Sequence, residues 1–199
     1  MGLFDFIKTP KKELTIGILG EVNAGKTTLA NLIGVDLVGK EVGAVSPVPH
    51  ETREISELRD VSFNANGRKL MLNLVDTPGI SSNIDYHEFL NYGLTRKEAI
   101  GRAKEATQGV VKAIQVLSRL DAAIVVVDAA KQPFNQVNWT IMGNLEVNKI
   151  PVIVAANKID LPDADQKLVE EVFERKVVPI SALHGTGLHK LYEEIAKCS

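Results

Sequence analysis

Residues Gly20 to Thr27 read Gly-Glu-Val-Asn-Ala-Gly-Lys-Thr and stand between two differently patterned apolar segments. Leu14, Ile16 and Ile18 alternate ahead of them, and Leu29, Leu32 and Ile33 open a helical face behind them. This octapeptide constrains the fold because it works only as the turn of a strand–turn–helix unit. Its glycines let backbone amides curl around an anion, and the following helix N-terminus adds partial positive charge. In that setting Glu21, Val22, Asn23, Ala24 and Gly25 line a phosphate cradle that Thr28 extends into the helix. Lys26 reaches the β- and γ-phosphates of a nucleoside triphosphate, and the Thr27 hydroxyl ligates Mg²⁺.

The chain has 199 residues, 45% hydrophobic and 24% charged, which suits one globular domain over residues 13–199 with a sizeable core. A net charge of −2 argues against a generally basic nucleic-acid binder but leaves a local basic patch open. The one cysteine, Cys198, permits no internal disulfide, so a reducing, cytoplasmic setting is expected. No apolar run approaches the roughly 18 residues of a membrane span. Residues 1–12 form a separate arm in which Leu3, Phe4, Phe6 and Ile7 precede Lys8, Lys11 and Lys12. Two readings of the arm stand: packing back onto the domain, or a weak peripheral contact with a membrane or partner.

Strand and helix patterns alternate, which predicts an α/β domain with a mostly parallel sheet. Ile55–Phe63 and Lys69–Val75 read as strands joined around Asn66-Gly67, a hairpin signal, so one antiparallel strand is expected at the sheet edge. Further strands are expected at Ala122–Asp128, Ile150–Asn157 and Val177–Ile180, and helices at Phe134–Glu146 and Asp163–Glu174. A last helix carries Leu188, Leu191, Tyr192 and Ile195 on one face. Thr95 with Glu98 makes a capping box. The helix it opens is expected to reach Leu120, about 39 Å at 1.5 Å per residue, with a stripe of Ala103, Ala106, Val110, Ile114 and Leu117 and a kink near Gly101 or Gly109.

Three further motifs bear on the nucleotide. Asp76-Thr-Pro-Gly79 follows the second hairpin strand. Its carboxylate can hold Mg²⁺ through water and its Gly79 amide can meet a γ-phosphate, although a plain Pro-Gly turn would read the same in isolation. Asn157-Lys158-Ile159-Asp160 ends an apolar strand. One carboxylate accepts both the N1–H and the exocyclic amino group of guanine, whereas adenine would leave Asp160 badly paired. Lys158 can lay its stem over the base and Asn157 can tether the base region to the phosphate loop. In Ser181-Ala182-Leu183 the Ala182 amide is placed to donate to guanine O6.

Together these residues resemble the translation-factor-related GTPases, and within them the Era and TrmE-like group, from about Leu14 to the end of the chain. The resemblance implies a P-loop G domain: a six-stranded, mostly parallel sheet with helices on both faces and nucleotide at the carboxyl ends of the strands. It also implies that Val48–Glu54 is the first switch. Thr52 and Arg53 match the Thr-Arg of the group's usual motif, so Thr52 would complete the Mg²⁺ sphere, while Pro49, His50 and Glu51 depart from the pattern.

For catalysis the resemblance draws attention to Lys26, Thr52, Gly79 and Asn23. The position that carries a water-orienting glutamine in Ras-like enzymes is Ile80, which cannot hydrogen-bond. Asn23 matches an asparagine that helps hold K⁺ in TrmE-like relatives; stabilising the loop is the alternative role. Asp85, His87 and Glu88 have only their location in favour of a water-orienting role, against a solvated loop. Arg96, Lys97, Arg102 and Lys104 read as a solvent face or a partner-facing one. The expected activity is Mg²⁺-dependent hydrolysis of GTP to GDP by a conformational switch with slow intrinsic turnover. A non-catalytic guanine-nucleotide-binding module is the rival, and an ATPase is disfavoured by Asp160. A protein or ribonucleoprotein partner is expected through the switches and residues 80–120. Direct nucleic-acid contact stays open, because relatives make it through an appended domain and this sequence stops at Ser199.

Overall fold

The computed structural model describes residues 13–43, 55–65, 68–80 and 84–199. The arm at 1–12, the first-switch residues including Thr52, Arg53 and His50, and the Asn66-Gly67 turn lie outside the described residues.

Strand β1 (Glu13–Gly20) is the hub. It pairs in parallel with β3 (Arg68–Asp76) on one side and with β4 (Ala122–Asp128) on the other. β2 (Ser56–Ala65) runs antiparallel outside β3, and β5 (Val152–Asn157) and β6 (Val178–Pro179) continue in parallel beyond β4. The resulting six-stranded sheet has the order β2-β3-β1-β4-β5-β6, the α/β G-domain arrangement expected from the sequence. Pro179 has no N–H for a ladder, which suits an outermost strand, and β6 is accordingly two residues long rather than the four expected.

Alternation along the strands splits the core in two. Leu14, Ile16 and Ile18 of β1 join Leu70, Leu72 and Leu74 of β3 on the face covered by α1 (Lys26–Val38) and α6 (Leu188–Ala196). Leu19 and Val75 face the other way, toward α3 (Arg96–Gln115), α4 (Gln136–Val147) and α5 (Gln166–Phe173). Every residue of β4 is buried, with Ala122, Ile124 and Val126 on the first face and Ala123, Val125 and Val127 on the second. A strand covered on both faces must be apolar throughout.

The long helix differs from expectation. α3 opens at the Thr95–Glu98 capping box and passes unbroken through Gly101 and Gly109, but ends at Gln115, where Val116–Arg119 tightens into a 3₁₀ turn. The face it buries is Ala99, Ala106, Gly109 and Ala113, while Ile114 of the expected stripe is 42% exposed. Small residues let α3 lie close to its neighbours and turn Ile114 outward. A short helix absent from the sequence reading, α2 (Tyr86–Leu90), precedes α3. Asp85 caps it by accepting from the His87 amide at 2.9 Å and pairs with His87 Nδ1 at 2.7 Å, so these residues shape a helix start rather than a solvated loop.

Ile124→Ala, at the centre of the sheet, should cost about 3 kcal/mol. Val147→Ala, 82% exposed at the end of α4, should stay within about 0.5 kcal/mol of the parent. Urea unfolding of both variants checks the difference.

Candidate functional site

The strand register gathers the sequence motifs at one edge. Ile18 stands opposite Asp76, Gly20 opposite Val126, and Asp128 opposite Asn157, so four consecutive strands end side by side. The turn after β1 is stabilised from within: Ala24 N donates to Glu21 O at 3.3 Å, and Asn23 sits at φ 62°, a left-handed conformation that asparagine tolerates. Gly25 closes the turn at φ 98°, and a Cβ there would run into the Asn157 amide. The N-cap residue of α1 is Gly25, which has no side chain to cap it, and no acidic residue occupies the first turn. Its amides, including those of Lys26, Thr27 and Thr28, thus lead into an anion-binding helix start.

Lys26 is buried and its Nζ donates to Glu21 O at 2.7 Å. Burial lowers its ammonium to about 8, while Asp76 and Glu21 pull the other way. Asp76 is fully buried at the end of β3, where Thr27 Oγ1 donates to its Oδ2 at 2.8 Å. Burial pushes the Asp76 carboxyl up to about 6, with the Thr27 hydroxyl, Lys26 and the Thr77 amide opposing. Its Oδ1 has no hydrogen-bond partner among the described residues. A hydroxyl and a carboxylate with an unused buried oxygen are hard donors, and they fit a small divalent cation such as Mg²⁺. Among the described residues no cluster of three or more His, Cys, Asp or Glu could hold a metal.

Gly79 lies against the phosphate loop so closely that a Cβ would come within 2.9 Å of Val22 Cα. The next amide, Ile80 N, donates to Gly20 O at 3.2 Å. The Ile80 side chain turns into the core beneath α3 and α4, which explains why an apolar residue is accepted there.

Asn157 is bonded at both ends of its buried side chain. Nδ2 donates to Ala24 O at 2.8 Å, and Oδ1 accepts from Ala182 N at 2.9 Å. A buried N–H takes an acceptor, and the Ala182 amide, expected from the sequence to face a purine oxygen, rests on Asn157 Oδ1. Lys158, at φ 66°, directs Nζ to Asp128 Oδ2 at 2.6 Å. The Ser181 hydroxyl is the main reason that the Asp160 carboxyl is held below its ordinary range, with His184 and Lys158 adding to it. Leu183 is 71% exposed beside them.

Two contributors escaped the sequence reading. Asp128 anchors Lys158; its signal was a lone acid ending an apolar strand, the same position that Asp76 occupies in β3. Asn31 accepts from the Val42 and Gly43 amides at 2.7 and 2.8 Å and donates to Gly43 O at 2.7 Å. It thereby pins residue 43 beside Thr27 and Asp76. No local pattern marks a mid-helix asparagine as a loop clamp.

The chain belongs to the family of 50S ribosome-binding GTPases, whose model matches residues 15–158. It is 32% identical over 185 residues to GTPase Era of Halothermothrix orenii, across 90% of this chain and 53% of that protein. Aquifex aeolicus Era bound to GDP·AlF4⁻ superposes with a TM-score of 0.72 at 26% identity, over 94% of this chain and 56% of that one. Era in complex with MgGDPNP and a 16S ribosomal RNA fragment gives 0.71 at 27% identity, over 94% and 57%. The chain therefore spans about half the length of the Era proteins it matches, and it is an Era-like small GTPase domain by sequence and fold.

In metal-free, nucleotide-free buffer Asp76 generates a pH dependence. Between 3.8 and about 6 the unfolded carboxyl is ionised while the folded one keeps its proton. The folded state holds more protons across that window, so stability falls as pH rises through it and gains nothing from this group above it. Asp76→Asn should flatten the profile and be at least as stable as the parent at neutral pH. Urea melts across the window in EDTA check this.

Proposed function

We propose that this chain is a guanine-specific, Mg²⁺-dependent GTPase that works as a conformational switch. The observation that carries the reading is the Asn157 bridge. One side chain ties the phosphate loop, at Ala24, to the base-side loop, at Ala182, which suits a ligand with a phosphate chain at one end and a purine at the other. Asp160 supplies the paired acceptor that guanine needs, with Lys158 and Leu183 flanking the base. Glu21 to Thr28 wrap the phosphates and Lys26 neutralises their charge.

Thr27, Asp76 and, from the first switch, Thr52 are the residues that would hold Mg²⁺, which when bound offsets charge on the β- and γ-phosphates. The protein's own contribution to hydrolysis is positioning and charge stabilisation. The Gly79 amide meets the γ-phosphate, and losing that contact with Thr52 on hydrolysis releases both switches. Ile80 leaves no side-chain group at the usual water-orienting position, so intrinsic turnover is slow. Asn23, exposed at the rim of the loop, supplies an oxygen for a K⁺ ion that would add positive charge beside the phosphates. A protein or ribonucleoprotein partner docks on the switches and residues 80–120. The chain acts in the cytoplasm, and among the described residues no helix is long and apolar enough to cross a membrane.

Phosphate release in a single turnover with Mg²⁺ and K⁺ tests the reading; tight GTP binding without release would leave a non-catalytic binding module. Asp160→Asn should weaken GTP binding about 100-fold, because a charge-assisted pair of hydrogen bonds is lost, and should favour xanthosine triphosphate in competition with labelled GTP. Turnover should be several-fold faster in K⁺ than in Na⁺, and Asn23→Ala should abolish the difference. Equal rates of the parent in the two salts would remove K⁺ from the mechanism.

A further inference from the structure

Asn31 spends its side chain outside its own helix. Asparagine is a poor residue for a helix interior, because its amide competes for backbone hydrogen bonds. In α1 that amide is given to a different stretch of chain. Its Oδ1 accepts from the Val42 and Gly43 amides at 2.7 and 2.8 Å, and its Nδ2 donates to Gly43 O at 2.7 Å. Both lone pairs of the oxygen are thereby used.

These bonds belong to a longer strap. Gly39 caps α1 at φ 72° and reverses the chain, with Gly39 N on Val35 O at 3.0 Å and Lys40 N on Gly34 O at 3.3 Å. The chain then runs back along the helix it has just left. Lys40 O lies so close to Gly34 that a Cβ there would collide with it, and Val42 packs partly buried against the core. Thr27, Asn31 and Gly34 stand at i, i+4 and i+7, on one face of α1. From Gly34 to Thr27 is about 10 Å along the axis at 1.5 Å per residue, and the steps from Lys40 to Gly43 cover about 10 Å when extended. The strap therefore delivers residue 43 to Thr27.

There it meets the hydroxyl and carboxylate that fit a divalent cation. A Cβ on Gly43 would press on the Thr27 methyl at 3.2 Å and stand 3.8 Å from both Asp76 Oδ2 and Ser56 Oγ. Ser56 opens β2 directly opposite Asp76. Threonine is stiff at χ1. Backbone lying against its methyl group keeps the hydroxyl turned to Asp76, where Oγ1 donates to Oδ2 at 2.8 Å. That bond leaves Asp76 Oδ1, buried and with no hydrogen-bond partner among the described residues, as the oxygen open to a cation.

We propose that Asn31 is a positioning residue of the cation site: by fixing residues 42 and 43 against Thr27 it sets the Thr27–Asp76 pair, and so determines how long Mg²⁺ and the nucleotide stay bound. Asn31 acts through the backbone of residue 43. This role rests on the reading of Thr27 and Asp76 as residues that hold Mg²⁺.

Dissociation of fluorescent GDP from the full chain, measured in Mg²⁺ and in EDTA, tests the role. In Mg²⁺, Asn31→Ala should release GDP about ten-fold faster than the parent, because the hydrogen bonds that hold residue 43 are lost; in EDTA the two rates should agree. Gly34→Ala, which displaces Lys40 from α1 and leaves Asn31 in place, should act in the same way. Asn31→Asp keeps the acceptor for both amides and should lie nearer the parent. Both alanines are better helix formers than the residues they replace, so α1 itself stays intact. The affinity of the GDP complex for Mn²⁺, read by electron paramagnetic resonance, should fall in Asn31→Ala by a factor similar to that in the release rate. Equal acceleration in Mg²⁺ and in EDTA, or unchanged release in Mg²⁺ while the amides of residues 42 and 43 exchange faster, would overturn the role and leave Asn31 a loop clamp. A parent that binds no fluorescent GDP would fail the GTPase reading itself, and one whose GDP loss EDTA does not hasten would fail the assignment of Thr27 and Asp76 to the metal; either would take this role with it.

Discussion

The parallel pairing of β1 between β3 and β4 is the constraint on which the remaining structure depends. Parallel strands point the same way, so their carboxyl ends and the loops that leave them collect at one edge. The register then sets the chemistry. With Ile18 beside Asp76 and Gly20 beside Val126, the turn after β1 meets the acid ending β3. With Asp128 beside Asn157, the turn after β5 meets the acid ending β4. A slip of one residue in either pairing would turn every side chain of a strand to the opposite face and separate Thr27 from Asp76.

That edge holds charges under tension. Lys26 and Asp76 are both buried, and burial disfavours both ionised forms: it lowers the ammonium to about 8 and raises the carboxyl to about 6. Each softens the penalty on the other, but neither is fully paired, since Lys26 is bonded to a backbone carbonyl and Asp76 keeps one oxygen without a partner among the described residues. An anionic phosphate chain and a divalent cation are the groups that would relieve them. A site strained in this way stores affinity for its ligand at the expense of stability without it. The neighbouring apolar layer carries the same geometry inward, because Ile80 is at once a backbone partner of the phosphate loop and a wall of a cavity between α3 and α4.

Much of this was legible in the sequence wherever the information was local. The alternation of Leu70, Leu72 and Leu74, the unbroken apolar run Ala122–Val127 of β4 and the Thr95–Glu98 box each marked an element from neighbouring residues. The failures came where packing decided. The end of α3 at Gln115 and the outward turn of Ile114 depend on what lies opposite. The Asp85 cap of α2 was local too, yet a five-residue helix has too little periodicity to register.

The sequence by itself determined the motifs, their order and hence the family: the phosphate loop, Asp76 to Gly79, Asn157 to Asp160 and Ser181 to Leu183 are chemical statements made by contiguous residues. Only the tertiary structure decided how they act on one another. Asn157 reaches Ala24 across 133 residues as its motif led one to expect, but Lys158 spans 30 to reach Asp128, and Asn31 clamps a loop that no pattern connects to it. The reason is physical. A hydrogen bond between distant residues leaves no periodic trace in the chain, whereas strand alternation and turn chemistry are imposed residue by residue by the backbone itself.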